Sequence, residues 1–188
     1  MGSPHDFTPF AWSGGQVCIT CHDSHNANTS VTAAPMWNHA LSTRSYPLYS
    51  SSTMKASVGQ PGQVSRLCLS CHDGTVAVDS YGGSSGSQYI RSVKHLGTTL
   101  ADDHPIGFVY DSALAAANGS LFDPNLKVVT IGSGAQTQSG LVGALLLNNG
   151  QLECTSCHDV HNAFTVGNSG LLKMDLGRSA ICMACHNK

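Results

Sequence analysis

All eight cysteines of this 188-residue chain fall in one kind of motif. The motif is Cys-x-x-Cys-His, and it occupies residues 18–22, 68–72, 154–158 and 182–186. This spacing is typical of covalent attachment of c-type haem. Two thiols three residues apart on one helical turn can add to the two vinyl groups of one porphyrin, and the next residue then supplies an imidazole nitrogen to the iron. The sequence therefore predicts four covalently bound haems c.

Paired cysteines also have other uses. Two pairs can hold a zinc ion in a four-thiolate site, and single pairs form redox or structural disulfides. None of these uses requires a histidine directly after the second cysteine. Because 10 of 188 residues are His, four such placements by chance have a likelihood on the order of 10⁻⁵. The predicted haem anchors are Cys18, Cys21, Cys68, Cys71, Cys154, Cys157, Cys182 and Cys185.

The iron ligands are expected to be histidines on both faces of each haem. The motifs supply the proximal ligands His22, His72, His158 and His186. Six further histidines remain for four irons, which favours bis-His ligation over methionine ligation. Met183 lies between the two cysteines of the fourth motif, so it cannot reach the distal face of that haem.

Four of the remaining histidines form the predicted distal set. His25 and His161 each follow a proximal histidine by three residues, about 4.5 Å along the axis if the motif helix continues. Each is therefore expected to ligate a different haem, and the alternative is a surface histidine bonded to a propionate. His104 precedes Pro105, which favours extended backbone, and His39 completes the set. His5 is an open alternative to His39.

Composition indicates what must fill the core. Charged residues make up 11% of the chain, against about 25% in an ordinary soluble domain. Aromatic residues make up 6%, and four haems on 188 residues leave 47 residues for each haem. We therefore expect a mostly irregular fold around a stacked-haem core, with short helices at the haem motifs and a small β-hairpin. A formal charge of −2 without a basic face argues against nucleic-acid binding.

The chain contains an internal repeat. Residues 18–27 match residues 154–163 at seven of ten positions. We expect one tetrahaem domain over 1–188, with haem pair 1–2 in 1–79, a middle segment 80–150 and haem pair 3–4 in 151–188. In the middle segment, Asp111 and Gly119 predict the ends of a helix over 111–118. Residues 127–131 and 141–147 are predicted strands, and residues 148–150 a hairpin turn.

Thioether formation takes place outside the cytoplasmic membrane, so the chain is expected to be exported. The first residues carry no basic or apolar signal segment, and we expect a signal peptide that has been removed. The longest apolar run, Leu141–Leu147, is too short for a transmembrane segment. A cell-surface or extracellular location is expected, with the periplasm as the alternative.

Longer segments resemble a known family. Residues 18–27, 35–42, 66–77 and 102–111 resemble the doubled-CXXCH multihaem cytochromes of metal-reducing bacteria, and most closely their tetrahaem, OmcE-like extracellular cytochromes. That resemblance implies closely stacked bis-His haems in a conductive filament, with one axial histidine donated by the neighbouring subunit. Its distal candidates match His25, His39, His104 and His161, and His5 matches a family position as well.

The predicted function is extracellular electron transfer without catalysis. The expected partners are identical subunits joined head to tail, with His25 on a neighbouring subunit's haem, together with redox partner cytochromes and extracellular metal oxides. Discrete periplasmic electron transfer is the alternative, and a multihaem reductase is the third hypothesis. A reductase needs a haem with an open distal position, whereas the spare histidines suffice to close every iron.

Overall fold

The computed structural model of the chain describes residues 3–166 and 170–187, and most of these residues lie in loops and turns. The helices are α1 (Gln63–His72), α2 (Ser112–Asn118), α3 (Val142–Leu145), α4 (Cys154–Cys157) and α5 (Ala180–Met183), with 3₁₀ turns at Ala11–Ser13 and Gly177–Ser179. The strands are β1 (Phe108–Val109), β2 (Val128–Ser133), β3 (Gln136–Leu141) and β4 (Gln151–Leu152). The expected mostly irregular fold with short helices is confirmed, but the hairpin is formed by β2 and β3 and not around the turn at 148–150.

The chain divides into two compact units. Unit 1 comprises Met1–Tyr49 and Gln60–Pro105, and unit 2 comprises Ser50–Gly59 and Ile106–Lys188. Each unit contains two haem motifs, the first and second in unit 1 and the third and fourth in unit 2. The middle segment of the sequence is shared between the units. That the whole chain acts as one tetrahaem domain stays a prediction.

Unit 1 has a small apolar core built on α1. Leu69 on this helix is fully buried and packs with Tyr46 and Leu100, and Leu48 packs against them. The helix begins after Gly62 and ends at His72, so its last turn is the second haem motif. Outside this cluster, Val31, Trp37 and Ala77 are also buried in unit 1.

Unit 2 has the larger apolar core, and the β2–β3 hairpin forms one side of it. The two strands are antiparallel, with Val128 opposite Leu141. Successive side chains of a strand point to opposite faces, and Val129 and Ile131 are buried while Val128 is exposed. The strand β1 pairs with β4, which brings residues 108–109 beside the start of the third motif. The buried members of this core are Tyr110, Ala115, Val129, Ile131, Val142, Leu146, Leu152 and Ala184.

The predicted helix over 111–118 is confirmed with its caps. The side chain of Asp111 accepts a hydrogen bond of 2.8 Å from the backbone N–H of Leu114. Gly119 follows the helix with a φ of 70°, a conformation that costs glycine little. Both ends of α2 are therefore set by local sequence.

The predicted strand over 141–147 is wrong. β3 ends at Leu141, and the next residues form α3. Val142 and Leu146 are both buried, and residues four apart share one helix face, so a helical turn buries both in the core of unit 2. The turn at 148–150 is confirmed, because Asn148 and Gln151 exchange two backbone hydrogen bonds of 2.9 Å. β4, which follows the turn, pairs with β1 and not with residues 141–147.

In the part of the chain that the structure describes, no helix combines the length and the apolar character needed to cross a membrane.

Candidate haem-binding sites

Each motif forms one turn of helical backbone, which brings its two thiols to the same side. The second motif is the end of α1. In the other three, the backbone N–H of the histidine donates to the carbonyl of the first cysteine. These bonds join His22 to Cys18 (2.8 Å), His158 to Cys154 (3.1 Å) and His186 to Cys182 (2.9 Å). The geometry required for attachment of one porphyrin by two thioethers is thus present four times.

Local sequence explains why the third motif is a helix and the first only an isolated turn. At the start of α4, the side chains of Glu153 and Ser156 each accept a hydrogen bond from the other's backbone N–H, which forms a capping box. The corresponding residues of the first motif are Val17 and Thr20, and Val17 has no side-chain acceptor. Among the described residues, the buried hydroxyl of Thr20 has no hydrogen-bond partner.

The proximal histidines are oriented by backbone carbonyls. The Nδ1 atom lies 2.7 Å from the Pro35 carbonyl oxygen in His22, and 2.8 Å from that of Lys94 in His72. In His158 it lies 2.6 Å from the carbonyl oxygen of Gly170.

A carbonyl oxygen only accepts, so Nδ1 carries the proton in these three rings and Nε2 keeps its lone pair. A metal-binding histidine typically donates its second ring N–H in this way. The donor set therefore fits haem iron.

Within each unit the two motifs lie close together. Burial raises the pKa of the second cysteine of every motif, to about 12 for Cys71 and about 11 for Cys21 and Cys185. Repulsion from Cys21 adds to the rise at Cys71, and repulsion from Cys157 adds to the rise at Cys185. Each unit therefore brings the second thiols of its two motifs within electrostatic reach, as two neighbouring haem attachment sites require.

Two observations concern the zinc and disulfide alternatives. All eight cysteines lie in the described residues, and all are free thiols. Over residues 3–166 and 170–187, no group of three or more His, Cys, Asp or Glu side chains is gathered as a site for a metal ion. The thiols are arranged as separate pairs, each next to one histidine.

The structural similarity of the first and third motifs includes residues that lie outside the sequence repeat. The backbone N–H of Asn38 donates to the carbonyl of Cys21, and that of Lys173 donates to the carbonyl of Cys157, both at 2.8 Å. His22 forms a β-bridge with Trp37, and His158 forms one with Leu172. Residues 35–38 and 170–173 therefore clasp the first and third motifs in the same way, although they share no identical residue.

His25 and His161 lie on equivalent exposed turns. The carboxylate of Asp23 accepts from the backbone N–H of His25 at 2.9 Å, and that of Asp159 accepts from His161 at 3.1 Å. The hydrogen bond from His25 lowers the pKa of Asp23. At the third motif the helix does not continue towards His161, because His158 is already extended, with φ −112° and ψ 142°. An Asp-centred turn, and not a helix face, presents each of these imidazoles.

The structure buries His39, and burial lowers its pKa. Its Nδ1 lies 2.7 Å from the carbonyl oxygen of Ala40, and its Nε2 lies 3.0 Å from that of Ala77. The same Nε2 is 3.5 Å from the sulfur of Cys71. Both ring nitrogens therefore face protein atoms, and His39 stands beside the second haem anchor.

The ring of His5 lies near that of a proximal histidine. The ring centroids of His5 and His72 are 6.0 Å apart, and the ring planes are inclined at 79°. An imidazole nitrogen binds a transition metal at about 2 Å, and the ring centroid lies about 1 Å beyond it. If His5 and His72 held one iron between them, their ring centroids would lie about 6 Å apart. Sequence reasoning left His5 as an alternative, since nothing in the motif spacing relates it to residue 72.

His104 is exposed, and its Nδ1 lies 3.1 Å from the carbonyl oxygen of Pro105. His95 is exposed as well. Its Nε2 lies 3.1 Å from the carbonyl oxygen of Asp73, and its ring occupies the space that a Cβ on Gly74 would need.

A buried carboxylate follows the second proximal histidine. Asp73 is 1% exposed and accepts hydrogen bonds from the hydroxyls of Ser42, Tyr46 and Thr75 and from the backbone N–H of Thr75. Burial opposes the ionised form, but these hydrogen bonds outweigh it and hold the pKa of Asp73 below its ordinary value. Burial likewise raises the pKa of Tyr46 to about 12. Sequence reasoning missed this group, because Asp follows three of the four motifs and only tertiary packing distinguishes this one.

Comparison with known proteins gives one match. Residues 147–188 match the family model described as the doubled CXXCH motif. No curated protein matches the chain. The matched segment contains the third and fourth motifs, and the first two repeat the same pattern in unit 1. The motif match and the four one-turn Cys-x-x-Cys-His sites support a multihaem c-type cytochrome that transfers electrons.

Proposed function

We propose that the chain is a tetrahaem electron conduit that binds one haem c at each of its four motifs. The observation that carries this proposal is the bond from Nδ1 of His22, His72 and His158 to a backbone carbonyl, which leaves Nε2 for iron in each case. When bound, haem iron supplies a one-electron couple between its ferric and ferrous states. The motif cysteines hold the porphyrin, and the carbonyls keep the imidazole rings in a fixed orientation.

In this proposal each haem iron would be bound by two histidines, so that no coordination position stays open. His5 serves the second haem, supported by its ring separation of 6.0 Å from His72. His25, His104 and His161 are the further distal ligands, each with an exposed side chain. His39 is less suited to bind iron than His5, because its Nε2 is already within 3.0 Å of a carbonyl oxygen.

The conduit is an extracellular filament subunit in this proposal. The sequence resemblance suggests it, and the exposed turn that carries His25 supplies an imidazole at the surface of the chain. His161, on the equivalent turn, ligates a haem of its own chain, and His25 ligates a haem of the neighbouring subunit. A contact that always joins head to tail is heterologous and yields an open filament if its rotation does not close. In this proposal the chain is exported, and it exchanges electrons with redox partner cytochromes and extracellular metal oxides.

Electron transfer without catalysis is the proposed activity. An open distal site would allow the reduced protein to bind carbon monoxide or nitrite, whereas bis-His ligation would prevent it. Absence of ligand uptake is therefore the expected result, and rapid uptake by one of four haems would favour the reductase hypothesis.

The proposal is tested on the protein as purified from a host that attaches haem. Pyridine haemochrome analysis together with intact mass should give four haems per chain, and low-temperature electron paramagnetic resonance should show low-spin iron. Electron microscopy of the same sample should show filaments. A stoichiometry of three or a persistent high-spin signal contradicts the four bis-His haems. Discrete particles without filaments favour the periplasmic carrier.

A further inference from the structure

Lys173 holds a half-buried positive charge beside the third haem motif. Its backbone N–H donates to the carbonyl of Cys157 at 2.8 Å, and its ammonium donates to the carbonyl of Leu145 at 3.3 Å. The ammonium also interacts electrostatically with the Cys157 sulfur and with the carboxylate of Asp159. These contacts fix the side chain of Lys173 next to a haem anchor.

The equivalent position at the first motif carries no charge. Asn38 makes the same 2.8 Å backbone bond to the carbonyl of Cys21, and its side chain is 7% exposed. The amide oxygen of Asn38 accepts from the backbone N–H of Gly82 at 2.9 Å. The clasps of the first and third motifs therefore have the same backbone geometry and differ by one positive charge.

We propose that Lys173 is a redox-tuning residue that raises the reduction potential of the haem attached at Cys154 and Cys157. This inference rests on the proposed function, since it requires a haem at the third motif. Reduction adds one electron to ferric iron and gives ferrous iron, so the charge of the site falls by one. A fixed positive charge in a partly desolvated position stabilises the reduced form, because Coulomb interactions are stronger there than in water.

Two acidic side chains near the third motif also influence the potential of its haem. Asp159 opposes Lys173, but Asp23 stands at the same place in the first site. Glu153 is 3% exposed and directly precedes Cys154, and it has no acidic counterpart at Val17. A comparison of variants at residue 173 leaves both acidic groups unchanged, so it isolates the contribution of the lysine.

The test is a potentiometric titration of the tetrahaem protein with dithionite as the one-electron donor. Paramagnetic NMR of the haem methyl groups assigns each couple to its haem. Lys173→Asn, which places the residue of the first site at the third, should shift the third haem to lower potential and move the others less. The reciprocal Asn38→Lys should shift the first haem to higher potential. Lys55→Asn removes the same charge from an exposed position in the same unit and should leave the third haem unchanged.

The inference and the proposed function fail in different ways. If the wild-type protein holds no haem at the third motif, the proposed function itself is wrong. If four haems are present and Lys173→Asn leaves the third potential unchanged, the tuning role is wrong. An equal shift of all four potentials in Lys173→Asn and Lys55→Asn would also overturn it, because that result reports net charge and not position.

Discussion

The imidazole rings of His5 and His72 lie edge to face, with their centroids 6.0 Å apart and their planes inclined at 79°. In sequence the two histidines are 67 positions apart, and both belong to unit 1. The separation suits two histidines that would hold one iron between them, since each metal–nitrogen bond is about 2 Å long. The nearby His39 points its Nε2 at the carbonyl of Ala77. The spin state of the haem bound by His72 therefore tests whether His5 or His39 is its distal ligand.

His5→Ala should leave four covalent haems and convert one of them to high spin, because the iron bound by His72 loses its distal imidazole. Low-temperature electron paramagnetic resonance measures this change, and added free imidazole should restore the low-spin signal. His39→Gln is the matched variant and should leave all four haems low-spin. A high-spin haem in His39→Gln and none in His5→Ala would assign the distal position to His39.

His25→Ala should abolish filaments and produce one high-spin haem per chain, because the neighbouring subunit's iron loses its ligand. His161→Ala, on the equivalent turn, should also produce one high-spin haem. Negative-stain electron microscopy and resonance Raman spectroscopy of the same samples check both expectations. Filaments of normal length with fully low-spin haems in His25→Ala would show that this histidine has no role between subunits.

Asp73→Asn should destabilise unit 1 by about 2–4 kcal/mol at neutral pH, because a buried carboxylate with four donors is replaced by a group that accepts fewer bonds. Denaturant unfolding of the haem-loaded protein, followed by far-ultraviolet circular dichroism, measures the loss. Asp102→Asn changes an exposed carboxylate and serves as the control. Equal stability of the two variants would show that the hydrogen bonds to Asp73 contribute little.

The same carboxylate predicts how stability depends on pH. The pKa of Asp73 is lowered in the folded state, so its contribution is fully present above the ordinary unfolded pKa of about 3.9. That contribution is lost as the pH falls through the lower folded pKa. Wild type should therefore lose stability in this acidic range more steeply than Asp73→Asn. Parallel curves for the two proteins below pH 4 would contradict this expectation.

The chain without haem should not fold cooperatively. Among the described residues of unit 1, Tyr46, Leu69 and Leu100 form the apolar cluster, and Val31, Trp37 and Ala77 are buried outside it. We expect this burial to be too little to offset the conformational entropy of ordering the chain. Expression without the haem-attachment machinery and calorimetry of the product test this. A sharp thermal transition in the haem-free chain would show that the side chains alone suffice as a core.

Local features of this protein could be predicted from sequence. The four motifs, the capped helix that ends before Gly119 and the turn at residues 148–150 all depend on residues within a few positions of one another. The low charge and the shortage of aromatic residues likewise indicated an irregular fold. Short-range geometry needs no knowledge of distant segments, so spacing and residue type suffice for such features.

Only the tertiary structure decided which distant residues meet. Val142 and Leu146 enter the core as a helix because neighbouring segments bury one helical face, although their apolar run also suits a strand. His5 meets His72, and Asp73 meets Tyr46, through contacts between segments far apart in the chain. Lys173 and Asn38 share a structural position without sequence identity, because equivalence there depends on the backbone bond to a cysteine carbonyl. Contacts of this kind depend on how distant segments pack in the folded chain, and the spacing of residues along the sequence does not predict that packing.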